Sequence, residues 1–199
     1  MTSRTSSTSA HLRRCGPVRR GAVEQLDAER RLHGPDTENG FIPGEGAAFV
    51  LVVSPRAARS LPTLGRVVGL STVDEPRPYG ADEPCLGHGI TLAVKRALAE
   101  GGVKGGLGWV LTDVTNERHR VDEWIYGFAR NHAAFSREVV HEQPLLKTGD
   151  LGAAGAATLL VMAVTRWQVG CALGPAVLVA VHSDGAERGA LVAREERAS

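Results

Sequence analysis

The sequence has 199 residues, of which 43% are hydrophobic and 23% charged, a composition typical of one globular domain. Its 23 basic and 22 acidic side chains nearly cancel, and aromatic residues make up only 5%, so nothing indicates a surface that binds nucleic acid. The longest apolar stretch, residues 151–164, is shorter than a membrane span, and three scattered cysteines do not indicate a disulfide framework; we therefore expect a cytoplasmic protein that binds neither nucleic acid nor membrane.

Residues 1–22 differ from the rest of the sequence. They contain five arginines and many serines and threonines, and the first acidic residue is Glu24. A transit peptide has a similar composition, but low hydrophobicity with charge of one sign is more simply explained by a disordered segment. We predict a disordered basic tail over residues 1–22 and a folded domain over residues 23–199.

Beyond the tail, strand and helix patterns alternate. A helix is predicted at residues 22–32 and ends at a Gly-Pro breaker. Residues 47–54, AAFVLVVS, form the continuous apolar run that is typical of a strand buried on both faces. The later elements, in chain order, are a strand at 65–73, a helix at 89–102, a strand at 108–114, helices at 121–133 and 150–168, and closing strands at 175–183 and 189–195.

This alternation predicts a three-layer α/β domain. The helix at 150–168 has an unusual composition: residues 152–157 read GAAGAA, and residues 159–164 are apolar on nearly every side. One sheet covers only one side of a helix. We therefore expect this Gly/Ala-rich helix to be buried, with a second layer of protein on its other side.

Three segments together resemble a known family. Residues 40–52 (GFIPGEGAAFVLV), 149–160 (GDLGAAGAATLL) and 180–195 (AVHSDGAERGALVARE) resemble, in this order, the C-terminal half of β-ketoacyl synthases. The resemblance spans about residues 24–195. It implies one half of a thiolase-like α/β fold, in which the Gly/Ala-rich helix lies between two sheets.

The resemblance also implies a chemistry, the condensation of acyl thioesters by an acyltransferase of fatty acid or polyketide synthesis, without a cofactor. Enzymes of this family use a cysteine nucleophile and two histidines. The cysteine belongs to the first half of the fold, and Cys15 has no helix pattern around it. Where the first histidine is expected stand Thr112 and Asp113, and Asp150 stands at the second position. The nucleophile and both histidines are therefore missing.

The candidate catalytic residues are Asp150, Lys147 and Glu123. Lys147 lies near the lysine of the family, and Glu123 matches its acidic residue. A carboxylate at position 150 would repel a developing oxyanion, so we interpret Asp150 first as a helix N-cap. Glu123 is likewise interpreted first as a structural hydrogen-bond acceptor.

Glycines and one carboxylate define the predicted pocket. They are Gly44, Glu45 and Gly46 in the turn before the apolar run, and Gly152 and Gly155 in the Gly/Ala-rich helix. At least one glycine of the turn is expected to have a positive φ or to lie against another backbone.

Other arrangements of reactive residues are weaker. Cys85 and His88 have the spacing of half a zinc site, but no second pair fits, so no metal is predicted. His182 and Asp184 flank Ser183, but neighbouring residues of a strand point to opposite faces, which argues against a hydrolytic triad.

We interpret the chain as a truncated β-ketoacyl synthase-like pseudoenzyme that cannot condense acyl chains alone. Two alternatives stay open: a non-catalytic partner of an active ketosynthase, comparable to a chain length factor, or a non-enzymatic module that binds an acyl or pantetheine chain. The expected partners are a second copy of the chain or another ketosynthase-like chain, and an acyl carrier protein.

Overall fold

A five-stranded sheet organises residues 20–196, the part of the chain that the computed structural model describes. The first 19 residues, and with them most of the predicted tail and Cys15, lie outside the described residues. The elements are α1 (Arg20–Ala28), β1 (Gly65–Asp74), α2 (His88–Glu100), β2 (Leu107–Thr112), α3 (Arg118–Arg130), β3 (Phe135–Glu142), α4 (Leu145–Thr148), α5 (Gly155–Gln168), β4 (Ala176–His182) and β5 (Glu187–Glu195). Short 3-10 turns occupy Ala57–Ser60, His132–Ala134 and Gly152–Ala154.

The sheet is mixed, with the strand order β1-β5-β4-β2-β3. Strand β2 runs parallel to both β3 and β4, whereas β5 runs antiparallel to β4 and β1. The register places Thr112 beside Ala180, so β2 and β4 end at the same edge of the sheet. Ligands of α/β proteins commonly bind at such an edge.

Helices cover both faces of the sheet, which confirms the predicted three-layer α/β architecture. On one face, Ile90 and Val94 of α2 pack in a cluster with Val110 of β2. On the other face, Leu159 of α5 packs with Trp109 of β2. All five of these side chains are fully buried, so the apolar residues of β2 point alternately into two separate cores.

The Gly/Ala-rich helix buries one stripe against the sheet. Gly155, Leu159, Ala163 and Trp167, spaced four residues apart, are buried, whereas Val161 is 39% exposed. The other side of α5 therefore has no full covering layer among residues 20–196. The predicted helix at 150–168 begins as a 3-10 turn, and its α-helical part starts only at Gly155.

The prediction of a doubly buried strand at residues 47–54 is wrong for this chain. Residues 47–53, which we call the apolar segment, belong to no helix or strand. Phe49 is 79% exposed, Leu51 80% and Val52 70%. A continuous apolar run indicates burial only if neighbouring strands are present, and no strand of the described residues pairs with this segment.

Strand β3 was not predicted, although the other strands lie within a few residues of their predicted bounds. Its sequence, FSREVVHE, mixes charged and apolar residues. Among the described residues it is an edge strand that pairs only with β2, and it leaves Val140 42% exposed. Edge strands commonly contain charged residues, which discourage pairing with other chains. Within residues 20–196, no helix is both long and apolar enough to span a bilayer.

Candidate functional site

A carboxylate and an imidazole meet where β2 and β4 end. Asp113 follows β2, and His182 is the last residue of β4. The Oδ1 atom of Asp113 lies 2.8 Å from Nδ1 of His182, and Oδ2 accepts a hydrogen bond from the backbone N–H of His182 at 2.6 Å. The two side chains are 8% and 1% exposed. An imidazole thus lies at this edge, although it comes from β4 rather than from β2, where the resemblance places a histidine.

Asp150 is the second carboxylate at this edge. Its Oδ2 accepts a hydrogen bond from Nη1 of Arg120 at 2.9 Å, and its Oδ1 accepts one from the backbone N–H of Gly152 at 2.6 Å. The side chain therefore caps the 3-10 turn that leads into α5. Burial raises the pKa of Asp150, and the charge of Arg120 and the N–H of Gly152 oppose this rise.

Arg120 of α3 connects three carboxylates. Besides Asp150, its guanidinium donates a hydrogen bond to Asp184 at 2.7 Å and lies 3.4 Å from Glu117. Its side chain is only 6% exposed. Burial alone would lower the pKa of Arg120, but the nearby carboxylates outweigh burial and hold it above its usual range. The guanidinium is therefore charged at neutral pH.

Arg31 adds a second guanidinium. It donates to both oxygens of Glu117, at 3.0 and 3.1 Å, and to Asp184 at 3.3 Å. We call Arg31, Glu117, Arg120, Asp150 and Asp184 the edge cluster. Burial raises the pKa of Glu117, with the two guanidiniums opposing, whereas these guanidiniums outweigh burial at Asp184 and lower its pKa. Three carboxylates face two guanidiniums, so the ionised cluster carries one net negative charge.

A surface cleft of about 380 Å³ opens beside the edge cluster and is lined in part by Arg31 and Glu117. In its wall the ring of Tyr79 stacks on His119, with 4.1 Å between the ring centres, and the guanidinium of Arg31 lies 5.0 Å from the Tyr79 ring centre. Burial, together with the positive charges of Arg120 and Arg31, lowers the pKa of His119 to about 4. His119 is therefore a neutral ring at neutral pH.

Solved structures identify the architecture, although no protein-family model and no curated protein sequence matches the chain. The ketosynthase of a type II polyketide synthase in the AntDE:AntF complex, bound to its acyl carrier protein and a hexaketide, superposes with a TM-score of 0.69 at 13% identity, over 92% of this chain and 54% of that chain. The ishigamide ketosynthase/chain length factor gives a TM-score of 0.56 at 21% identity, over 72% of this chain and 38% of that one. Ketosynthase domain KS8 of OzmH from Streptomyces albus JA3453 gives a TM-score of 0.59 at 13% identity, over 71% of this chain and 48% of that one.

The chain has the fold of one half of a ketosynthase. It spans about half the length of these solved ketosynthases or less. The predicted thiolase-like half-fold is thereby confirmed.

The edge cluster does not include all of the candidate residues. Glu123 is 2% exposed, and both of its oxygens accept hydrogen bonds from Arg188, the longer at 3.1 Å. It therefore acts as a structural partner of that guanidinium. Lys147 is exposed on α4 and forms no ion pair with the described residues.

The turn before the apolar segment is fixed to the same edge. The backbone N–H of Gly44 donates to the carbonyl oxygen of Asp150 at 2.9 Å, and the N–H of Asp150 donates to Ile42 at 2.7 Å. A Cβ atom on Gly44 would lie 2.4 Å from the carbonyl oxygen of Thr148, so this glycine lies against another backbone.

The other predicted pocket residues do not lie against another backbone, although Gly152 has a left-handed conformation that favours glycine. A Cβ atom on Gly46 would meet only the side chain of Leu151, at 3.2 Å. Gly152 has a φ of +53° with open space beside it, and a Cβ on Gly155 would make an ordinary contact with Leu145 at 3.6 Å. Glu45 itself is exposed.

Neither described cysteine has the surroundings of an activated nucleophile. Burial raises the pKa of the Cys85 thiol to about 11, and Cys171 is exposed at the end of α5. Cys85 does not pair with His88 but lies beside Glu75 and Glu123, the one group of described residues close enough together to hold a metal ion. Arg188 already occupies both oxygens of Glu123, so we assign no metal there.

The sequence analysis missed Arg31, Glu117 and Arg120. Each is a charged residue in a polar stretch, a pattern typical of a solvated surface. Arg31 and Glu117 are 86 residues apart, and only the topology of the fold brings them together. The sequence offered one signal for the location of these contacts, the acidic residues Asp113 and Asp150, since the resemblance placed both at the same site.

Proposed function

We propose that this chain is a ketosynthase-like subunit that does not condense acyl thioesters by itself and completes its fold against another ketosynthase-like chain, in the manner of a chain length factor. One observation carries the proposal, the exposed apolar segment at residues 47–53. Phe49 and Leu51 each have about four fifths of their surface in water. A monomer rarely exposes a continuous run of this kind, whereas an interaction surface commonly does.

The position of the apolar segment supports the same proposal. The segment leaves a turn that is hydrogen-bonded to Asp150, so its start is fixed beside the edge cluster rather than free in a loop. On the sheet side, α5 has a buried stripe, and on its other side Val161 remains 39% exposed. A second α/β layer would cover both surfaces at once. The AntDE:AntF ketosynthase chain has about twice the length that this chain matches, which leaves room for such a layer.

The chemistry of the edge supports a non-condensing role. Condensation requires hydrogen-bond donors at the place where an oxyanion develops. The resemblance places the two histidines that supply them at residues 112–113 and 150, where this chain has the carboxylates of Asp113 and Asp150. A net negative cluster raises the energy of an oxyanion instead of lowering it.

The names of the similar solved structures support particular partners and a particular pathway. One is named as a ketosynthase/chain length factor, and another as a ketosynthase in complex with its acyl carrier protein. We therefore propose a role in polyketide rather than fatty acid synthesis, with a second ketosynthase-like chain as the main partner and an acyl carrier protein as a further one. We also propose a cytoplasmic location, as expected from the sparse cysteines. Self-association into a homodimer is the outcome expected when the partner is absent.

A condensation assay tests the proposal. The purified chain is incubated with an acyl and a malonyl carrier protein, and the products are analysed by mass spectrometry. We expect no 3-oxoacyl product. Robust turnover that is abolished by Cys15→Ala, but not by the matched change Cys171→Ala at an exposed cysteine, would show that the chain is a complete condensing enzyme.

A further inference from the structure

The backbone of the apolar segment has no hydrogen-bond partner. None of the N–H and C=O groups of residues 47–53 bonds to another described residue. The side chains cannot replace these bonds, because the segment reads AAFVLVV and has no polar side-chain atom. Unpaired peptide groups in such a run are a template for pairing with another chain. The segment therefore presents a row of peptide groups that can pair with a strand.

Both sides of the segment are apolar. In an extended chain, successive side chains point to opposite sides. Phe49 and Leu51 then share one side, and they are 79% and 80% exposed. Val50 and Val52 share the other side, and they are 44% and 70% exposed. A strand with this pattern is typically paired along its edge and covered on both faces.

The sheet edges of a second copy do not suit this segment. At the β1 edge, the backbone N–H of Leu70 already donates to the carboxylate of Glu100 at 2.8 Å, and the strand has a register shift of the kind that a β-bulge makes. At the β3 edge, Arg137 and Glu138 are exposed. Bulges and charges of this kind protect sheet edges from pairing with other chains. The apolar segment of a second copy has neither feature.

Charge favours an antiparallel arrangement of two such segments. Glu45 precedes the segment, and Arg56 follows it. Two segments that pair antiparallel about Val50 bring Glu45 of each copy near Arg56 of the other, whereas a parallel pair would bring like charges together. Antiparallel pairing of identical segments also gives a closed twofold dimer, in which both copies use the same surface.

The α5 side of the domain offers apolar surface to cover the faces of such a pair. The turn before the apolar segment is hydrogen-bonded to Asp150, in the loop that leads into α5. Leu70 of β1 points to the same side, because a Cβ atom on its neighbour Gly69 would meet Ala97 of α2 on the opposite side. Leu70 is 60% exposed, and Val161 on the outer side of α5 is 39% exposed.

The area of these surfaces is close to what a stable dimer needs. The exposed parts of the apolar side chains named above amount to roughly 650 Å² per copy, against about 800 Å² per partner in interfaces of standard size. These side chains are Phe49, Val50, Leu51, Val52, Leu70 and Val161. A second copy of the chain can therefore bury them in one interface.

We propose that two copies of this chain associate through their apolar segments, which pair as antiparallel strands between the α5 sides of the two domains. The proposal rests on the proposed function, because it uses the same segment as an interaction surface. It identifies what occupies this surface when the partner chain is absent. The two associations exclude each other, since both use residues 47–53, so a partner chain has to displace the second copy.

Hydrogen–deuterium exchange of the full chain tests the pairing. The protein is labelled at a concentration at which light scattering gives about twice the 21.0 kDa of one chain, and again after dilution to the monomer. Hydrogen bonds between strands protect backbone amides from exchange, whereas burial of side chains alone does not. We expect about half of the amides of residues 47–53, those that face the second strand, to exchange about tenfold more slowly in the dimer. The amides of the β3 edge should exchange equally in both states.

Proline variants separate strand pairing from apolar burial. Only alternate N–H groups of a strand face one partner strand, and proline has no N–H. Of Val50→Pro and Leu51→Pro, one should therefore associate about tenfold more weakly than the variant with alanine at the same position. The other should resemble its alanine counterpart. The alanine variants are the matched controls, since they shorten the side chain but retain the N–H.

Three results would overturn the proposal. They are a dimer in which residues 47–53 exchange as fast as in the monomer, proline variants that both associate like their alanine counterparts, and a mass that is not that of two copies. The first two results leave the proposed function intact, because a partner chain can cover the segment without strand pairing. The condensation assay tests the proposed function separately, since a chain that condenses acyl thioesters alone refutes it whatever the exchange result.

Discussion

The backbone N–H of Gly44 donates a hydrogen bond to the carbonyl oxygen of Asp150 at 2.9 Å. This contact joins the turn before the apolar segment to the loop that carries a carboxylate of the edge cluster. The two chain segments lie so close that a Cβ atom on Gly44 would be 2.4 Å from the carbonyl oxygen of Thr148 and 2.8 Å from the carbonyl carbon of Gly149. The position of the apolar segment therefore depends on the absence of a side chain at residue 44.

Substitution of Gly44 by alanine should destabilise the protein. The added methyl group would meet backbone atoms that cannot rotate away, so the free energy of unfolding should fall by about 1–3 kcal/mol. Chemical denaturation measures the loss. Gly46→Ala should cost less, because its methyl group would meet only the flexible end of Leu151, at 3.2 Å. Gly34→Ala, with nothing within 4 Å, is the control. Equal stability of the Gly44 and Gly34 variants would show that the turn is not tightly packed.

Loss of the Arg120 guanidinium should be costly. In Arg120→Met the side-chain volume is nearly retained, but the buried carboxylate of Asp150 loses its 2.9 Å partner. Removal of one member of a buried ion pair typically costs about 3–5 kcal/mol, and denaturant midpoints should show this loss. Arg118→Met, at a side chain on the same helix that is 82% exposed, should change stability little. Equal stability of the two variants would show that Asp150 does not need the Arg120 guanidinium as a partner.

His119 should make stability depend on pH. Its pKa is about 4 in the folded chain against 6.5 when unfolded. Between these values the unfolded chain binds a proton that the folded chain does not, so the free energy of unfolding must fall as the pH falls from 6.5 to 4. The raised pKa values of Glu117 and Asp150 act in the opposite direction, so the effect of His119 has to be isolated by substitution.

The comparison with His119→Gln isolates this effect. The variant retains both carboxylates, so the wild type should lose about 1–3 kcal/mol more than the variant between pH 7 and pH 4, as measured by urea denaturation at each pH. The same change at the exposed His132 controls for the substitution itself. Parallel curves for the wild type and His119→Gln would mean that His119 is not held neutral by burial and by Arg120 and Arg31.

Local patterns predicted most of the fold, because β2 and β4, at the middle of the sheet, have apolar runs that are buried within this chain. They failed at residues 47–54, where no strand of the described residues lies beside the apolar run. The run at residues 47–54 is as apolar as β4, yet Leu51 is 80% exposed whereas Leu178 is fully buried. Strand β3 shows the reverse case, since it forms although Arg137 and Glu138 interrupt its apolar pattern.

The site was less predictable than the fold, because its contacts join residues that are far apart in the sequence. His182 was set aside on the ground that its neighbours in sequence point elsewhere, but its partner is Asp113, 69 residues away and directly after the adjacent strand. Similarly, the N-cap interpretation of Asp150 predicted a hydrogen bond from a backbone N–H, which Gly152 donates, but not the contact with the guanidinium of Arg120. A pattern within one strand or helix cannot report a contact between two of them.

Light scattering on the purified chain tests most directly whether the apolar segment is an interaction surface. Burial of several hundred Å² of apolar surface would contribute on the order of 10 kcal/mol to association. We therefore expect a mass above the 21.0 kDa of the monomer at micromolar concentration. The double variant Phe49→Asp, Leu51→Asp should have a mass close to 21.0 kDa, whereas Val169→Asp, at a residue 67% exposed outside the segment, should associate like the wild type. A wild-type chain that remains a monomer, or a double variant that associates as strongly as the wild type, would contradict the account.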